Sequence, residues 1–321
     1  MNIFSVISPL ILVALLGYLC TKSRWMNREQ LNALSKFTFS ISIPAFLFYQ
    51  MAKADFSDQV NPQLFAAFYI PVLTCYLIAY LISYFFYKRE PINKDDSSAT
   101  KNSTACAVFA LSASYSNNVI VGLPVLLAAL GEQVLGIIFL IVTFHSAMLF
   151  ALTSAIAARA KTKQDTKQFN YLNFIKQTLN NPLIISILSG LLVNISGIAM
   201  PDFIQDSLAL ISKPAITLAL FILGASLAFY KVRQELTFIS IACFSKLILL
   251  PTLVLLTSQY IFKLEPLVVS VLVILSACPT GVNAYLIAAS HQQHQQTVAG
   301  TIVLSTIISI ATIPLWMLFI L

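Results

Sequence analysis

The sequence predicts an all-α integral membrane protein of ten transmembrane helices, built as two five-helix repeats of inverted topology. Three observations carry this expectation. Charged residues make up 10% of the 321-residue chain and hydrophobic ones 58%, whereas soluble domains carry about 25% charge. Long apolar stretches alternate with short basic segments, and residues 266–321 contain no Asp, Glu, Lys or Arg. Motifs of the first half return, in the same order, in the second.

A spanning helix needs about 20 apolar residues. Such stretches place helices near 3–21, 34–52, 64–87, 103–129, 134–157, 180–198, 206–230, 237–260, 266–289 and 296–320. The first has no basic residues ahead of it. Lys22, Arg24 and Arg28 follow it, which favours a retained helix with an outside N-terminus over a signal peptide. Cys20 follows Leu19 rather than a small residue, which argues against a lipoprotein site. With both termini outside, 16 Lys and Arg fall on the cytoplasmic side and only Lys53, Lys213 and Lys263 on the other. That asymmetry follows the positive-inside rule of an inner (plasma) membrane protein with many passes. The basic residues sit in short loops rather than on one face, so nucleic acid is not an expected partner. Cys20, Cys75, Cys106, Cys243 and Cys278 are scattered without metal spacing and read as packing residues.

The repeat is visible in two places. "SPLILVALLGYL" at 8–19 matches "NPLIISILSGLL" at 181–192 at an offset of 173, and "ISIPA" at 41–45 matches "ISKPA" at 211–215 at an offset of 170. Chance likeness between apolar helices is the alternative, and two matches in one order weigh against it. Five helices per unit force the second copy to run upside down. The organisation expected is residues 1–157 as one repeat, 158–179 as a cytoplasmic linker and 180–321 as the other.

The fourth and ninth helices are interrupted. "SYSNNVIVGLP" at 114–124 puts two amides, a glycine and a proline into an uncharged span, and "SACPTGVNAYLIA" at 276–288 does the same in the second half. An offset of 163 aligns Ser116 with Pro279, Asn117 with Thr280 and Asn118 with Gly281, and sets "GEQV" at 131–134 against "HQQT" at 294–297. Ser116, Gly122 and Pro124 are read as the break in the fourth helix. Freed backbone groups are tolerated in a bilayer only where protein or a water-filled cavity satisfies them. Paired interruptions in inverted halves point to a transport site, with helix N-termini offering N–H donors to an anion. Helix packing or simple kinking is the other reading. The substrate-binding candidates are Asn117, Asn118, Pro279, Thr280, Gly281, Asn283 and Tyr285.

Apart from Asp206, the first residue of the seventh at its outer end, no Asp or Glu lies within a predicted span, so a cation substrate would lack a counter-charge. Lys246 lies about nine residues into the eighth helix, roughly 13 Å deep. It either snorkels to the cytoplasmic face or neutralises a substrate carboxylate. Lys213 sits nearer the outer end and is expected to snorkel. His145, near mid-span, is either a buried neutral side chain or a proton carrier for coupling. His291 and His294 fall by the cytoplasmic loop and are expected to be solvated.

The chain resembles the auxin efflux carrier family, which includes plant PIN carriers and bacterial malonate-type transporters. The residues that carry this are "SNNVIVGLPVLLAALG" (116–131), "ISIPAFLF" (41–48), "KLILLP" (246–251) and "CPTGVNAYLIA" (278–288). The resemblance implies 5+5 inverted repeats whose broken helices 4 and 9 cross near the midplane. It also implies a scaffold of helices 1, 2, 6 and 7 that forms a homodimer, and a mobile domain of helices 3–5 and 8–10. Ser116-Asn117-Asn118 departs from the Pro-Asn-Thr of the plant carriers, while Pro279 keeps the second-half proline.

The function expected is secondary, electrogenic transport of a small organic anion such as a mono- or dicarboxylate. The alternatives are an ion channel, or a proton- or sodium-coupled symporter of the same fold. HExxH and GxSxG motifs are absent, as is a P-loop, so neither an enzyme nor direct ATP drive is expected. No cofactor or metal site is expected either. The topology is testable: a cysteine introduced in the 158–179 loop should react with an impermeant reagent only from the cytoplasmic side. Reaction from outside in sealed cells would overturn the orientation.

Overall fold

The computed structural model describes residues 3–53, 62–89, 96–161, 182–198, 200–229 and 235–321. The described residues form helices and connecting turns, with an isolated antiparallel bridge between Ser116 and Thr280. The helices are α1 (Ile3–Lys22), α2 (Arg28–Lys53), α3 (Pro62–Arg89), α4 (Asp96–Ser114), α5 (Asn118–Leu130) and α6 (Leu135–Lys161) in the first half. The second half holds α7 (Pro182–Ser196), α8 (Asp202–Leu227), α9 (Leu236–Ile261), α10 (Pro266–Ala277), α11 (Ala284–His291) and α12 (Gln295–Ile320). Among these, α2, α3, α6, α8, α9 and α12 are long and apolar enough to cross a membrane, and shorter apolar helices accompany them. Of the expected linker, residues 158–161 end α6 and 162–179 lie outside the described residues.

α2 starts six residues before the apolar stretch suggested. Asn27 and Gln30 form a reciprocal capping box: Gln30 N–H donates to Asn27 Oδ1 and Asn27 N–H to Gln30 Oε1, both at 2.9 Å. Two orphan amides of the first turn are thereby satisfied, and the polar segment Arg28–Phe37 becomes helical. Its buried Leu31 packs on Ile222 and Ala225 of α8.

Proline positions explain three of the four π turns among the described residues, Leu256–Ile261 being the exception. π turns at Thr38–Ser42, Asn118–Gly122 and Ser245–Leu249 each precede a proline by two residues, at Pro44, Pro124 and Pro251. Proline has no amide hydrogen, and its ring crowds the carbonyl four residues back. A widened turn relieves that clash without ending the helix. In α8 the matching segment instead forms a tight turn at Lys213–Pro214. Lys213 is exposed there, consistent with a snorkelling side chain.

The chain divides into two compact units. The first comprises Met1–Val60, Val119–Thr143 and Leu172–Tyr230. In it α1 packs along α8 and α2 along α7. Glycines set both approaches. A Cβ on Gly17 would lie 2.0 Å from the Phe221 carbonyl oxygen, and one on Gly190 would lie 2.6 Å from that of Phe48. Gly190 follows Gly17 by 173 residues, and Phe221 follows Phe48 by the same 173. At the offset of 170 that aligns the two "ISxPA" segments, Phe48 matches Leu218, so the two contacts join corresponding helices but differ by about one helical turn in register. Ser42 Oγ also donates to the Ile211 carbonyl at 2.8 Å, joining the two "ISxPA" segments directly.

The second unit comprises Asn61–Asn118, Phe144–Tyr171 and Lys231–Leu321. α3 packs on α4, and α9 packs on α4, α10 and α12. Between α11 and α12, the His294 side chain is only 4% exposed, so it is not solvated as the loop position suggested. Phe109 and Phe238 cover it, at 6.1 and 5.6 Å between ring centroids. Its Nδ1 lies 2.9 Å from Thr297 Oγ1 and 3.5 Å from Glu235 Oε2, and the Thr297 hydroxyl donates to Glu235. Burial pushes this imidazole below its ordinary range, and the neighbouring Glu235 carboxylate opposes that shift.

Gly17→Ala and Gly190→Ala should each lower the thermal midpoint of the purified protein. The added Cβ must separate two packed backbones, an overpacking cost of about 1–3 kcal/mol. A midpoint unchanged in both variants would show that these helices approach less closely than described.

Candidate functional site

The two interruptions meet within the second unit. α4 ends at Ser114 and the next helix begins at Asn118; α10 ends at Ala277 and α11 begins at Ala284. Between these ends Asn117 N–H donates to the Pro279 carbonyl at 2.9 Å, and Gly281 N–H donates to the Tyr115 carbonyl at 3.0 Å. In space Ser116 stands opposite Thr280, one residue past Pro279, with which the sequence offset aligned it. Proline can supply only a carbonyl to such a pair, and Pro279 does so. Gly281 is required here, because a Cβ would fall 2.3 Å from the Tyr115 ring.

Side chains close other exposed carbonyls at the helix ends, where the last four have no partner inside the helix. Thr280 Oγ1 donates to the Ser112 carbonyl at 2.8 Å, and the Cys75 thiol of α3 approaches that of Ala113 at 3.5 Å. Lys246 lies in the π turn of α9, is 0% exposed, and donates from Nζ to the Ser276 carbonyl at 2.5 Å. Its side chain therefore turns inward to the C-terminal end of α10 and does not snorkel. A cation there meets the negative end of the helix dipole. Among the described residues no carboxylate pairs with it.

His145 is likewise turned inward. Ser116 N–H donates to its Nε2 at 3.0 Å, which assigns the proton to Nδ1 and makes the ring neutral. Tyr115 stacks on it with ring centroids 5.2 Å apart and an interplanar angle of 11°. The Tyr115 hydroxyl in turn bonds Ser146 at 2.8 Å and interacts with Asn283.

Several polar atoms at this centre are buried without a partner among the described residues. They are Ser116 Oγ, Asn117 Nδ2, Asn118 Nδ2 and Oδ1, and His145 Nδ1. An unpartnered buried polar group costs about 1–3 kcal/mol, so such a cluster calls for a partner from outside the chain, whether water or a polar ligand. Of the predicted residues, Ser116, Asn117, Asn118, His145, Pro279, Thr280 and Gly281 come together, with Lys246 three residues from Pro279 through its Ser276 bond. Asn283 and Tyr285 lie on the first turn of α11 and are partly exposed. Gly122 and Pro124 belong to the first unit. They do not form the break: Gly122 has helical φ −63° and ψ −49°, and Pro124 sits in the first turn of the α segment that follows the π turn. The interruption falls at Tyr115–Asn117, where the chain pairs with the other interruption rather than with itself. Tyr115 and Ser112 were not predicted; both are ordinary helix residues by type, and only their contacts single them out.

These features define a multi-pass helical membrane protein with a polar centre made from two joined helix interruptions. Comparison with known proteins gives the family. The chain belongs to the membrane transport protein family, the auxin efflux carrier family, whose model matches residues 2–317. It is 24% identical over 314 residues to a Rhizobium meliloti protein named "Putative malonate transporter", covering 97% of this chain and 94% of that one. It is 23% identical over 315 residues to the uncharacterized transporter YfdV of Escherichia coli, covering 96% and 94%. An uncharacterized transporter of Methanothermobacter thermautotrophicus is 24% identical over 316 residues, covering 97% and 96%.

The bonding pattern separates two kinds of polar residue. Asn118→Ala should leave the unfolding free energy within about 1 kcal/mol of the parent or raise it, because no partner loses a bond. Lys246→Met should lower it by about 1.5–3 kcal/mol, because the Ser276 carbonyl is left buried and unpaired. Thermal unfolding in detergent checks both, and the reverse order would contradict the described contacts.

Proposed function

We propose that the protein is a secondary carrier of a small organic anion, of mono- or dicarboxylate class, and that the joined interruptions are its binding site. The observation that carries this reading is a buried Lys246 that has no carboxylate partner among the described residues, near a cluster of buried amide and imidazole groups likewise without partners there. A carboxylate would supply acceptors to Asn117 Nδ2, Asn118 Nδ2 and His145 Nδ1–H and a counter-charge to the lysine. The name carried by the Rhizobium meliloti relative makes malonate the first substrate to try.

Ten spans, inverted repeats and outside termini belong to the same proposal. The glycine contacts of Gly17 with Phe221 and Gly190 with Phe48 join corresponding helices of the two halves and support the repeat. Each compact unit takes helices from both halves of the chain, as expected where one repeat pairs with the other instead of folding by itself. The first unit holds α1, α2, α7 and α8, the helices to which the family resemblance gives a scaffold role, together with Val119–Thr143, which the resemblance gives to the mobile domain.

Coupling is the remaining choice. An inside-negative potential is worth about 2.3 kcal/mol per charge per 100 mV and drives an anion outward unaided. A proton- or sodium-coupled symporter needs a titratable or anionic group in the path. The one Asp or Glu in the apolar stretches, Asp206, is exposed at the outer end of its helix, and the Nε2 of His145 is already engaged by Ser116. The reading is therefore electrogenic transport with efflux favoured.

Reconstitution in liposomes with radiolabelled malonate and a potassium-diffusion potential tests it. Flux should be saturable, show counterflow and reverse its preference with the sign of the voltage. Asn117→Ala and Lys246→Gln should raise the apparent KM, and Lys246→Arg should recover part of the loss. Flux that follows a pH or sodium gradient and ignores the voltage would favour symport, and His145 would then be the residue to change first.

A further inference from the structure

The bridge between Ser116 and Thr280 has a consequence for two other residues. Its bonds run from Asn117 N–H to Pro279 and from Gly281 N–H to Tyr115. Ser116 and Thr280 are therefore the non-hydrogen-bonded pair of an antiparallel ladder, and their own N–H groups point away from each other. A longer sheet would give those groups a third strand. A helical membrane protein has none to give, so each N–H needs a side-chain acceptor. Ser116 N–H finds His145 Nε2 on α6 at 3.0 Å, and Thr280 N–H finds Ser305 Oγ on α12 at 3.0 Å. Each acceptor lies on the long helix that follows the broken one. The two differ in chemistry but share a role. The Ser305 hydroxyl spends its hydrogen on the Ile302 carbonyl at 3.3 Å and so presents a lone pair to Thr280. The neutral imidazole presents its unprotonated nitrogen to Ser116.

We infer that His145 and Ser305 are an equivalent pair of positioning residues: each holds one strand of the joined interruptions by accepting its outward N–H. His145 acts in this role as a neutral acceptor. Its ring is wedged between Tyr115, at 5.2 Å, and Phe68 of α3, at 5.6 Å, which fixes the nitrogen on the Ser116 amide. The inference does not depend on what the protein carries, and its test needs no substrate.

Purified full-length protein in detergent is compared by thermal unfolding and by amide hydrogen exchange of the peptides that contain Ser116 and Thr280. His145→Ala should speed exchange around Ser116 by about tenfold or more, the effect of leaving a buried N–H without an acceptor. His145→Gln should restore slow exchange, because its amide oxygen accepts where the imidazole did. Ser305→Ala should speed exchange around Thr280, and Ser305→Thr should restore it. The double variant S116P/H145A removes the N–H and fills part of the vacated space with the proline ring, so its unfolding midpoint should lie above that of His145→Ala. If His145→Ala does not fold, recovery of folded protein in His145→Gln and S116P/H145A supports the inference. Unchanged exchange in His145→Ala overturns it. So does a His145→Gln variant as damaged as His145→Ala, because the acceptor would then not be what matters.

Discussion

A backbone that leaves its helix inside a bilayer has to find partners within the protein, and this requirement organises the second unit. Unsatisfied amides and carbonyls cost several kcal/mol each in hydrocarbon. The chain meets the requirement by bringing two interruptions together, so that each supplies what the other lacks. Pro279 offers only a carbonyl and Asn117 takes it; Gly281 offers an amide and Tyr115 takes it. The surrounding polar side chains follow from the same constraint. Thr280, Cys75 and Lys246 reach the ends of α4 and α10 because those ends, too, would otherwise be unpaired.

Backbone groups are satisfied more fully at this centre than side chains. Asn117, Asn118, His145 and Ser116 keep buried polar atoms without partners among the described residues, beside a segment whose peptide groups are paired. The paired backbone holds the shape, and the unpaired side chains are the donors on which the proposed carrier function rests. Lys246 takes part in both. One of its hydrogens serves the Ser276 carbonyl, while its charge has no fixed carboxylate to cancel it.

The first unit is held in a different way. Hydrocarbon surroundings give apolar side chains little reason to prefer one another over lipid, so close backbone approach has to supply the attraction. Gly17, Gly190 and Gly224 permit it, each lying where even a single added carbon would meet a carbonyl oxygen. Gly17 in α1 and Gly190 in α7 each meet a helix from the other half of the chain, α8 and α2.

The sequence by itself determined the helical class, the helix positions and the identity of most residues at the polar centre. Each of these rests on local composition: a bilayer demands apolar length, and an amide or proline inside such a length is conspicuous. The early start of α2 was also legible, in the Asn27 and Gln30 capping pair, although the preceding apolar count hid it. Other features depended on distant contacts that no local pattern encodes. The break falls at Tyr115–Asn117 rather than at Gly122 or Pro124, because a widened turn absorbs Pro124 while the pairing with Pro279 and Gly281 fixes where α4 ends. Lys246 turns inward because the end of α10 offers it a carbonyl. His294 is buried because Phe109 and Phe238, more than fifty residues away in sequence, close over it. Ser305 is one hydroxyl among many in apolar helices, and only the outward amide of Thr280 gives it a task. Composition decides what can enter the membrane; which polar group meets which is decided when separate helices pack.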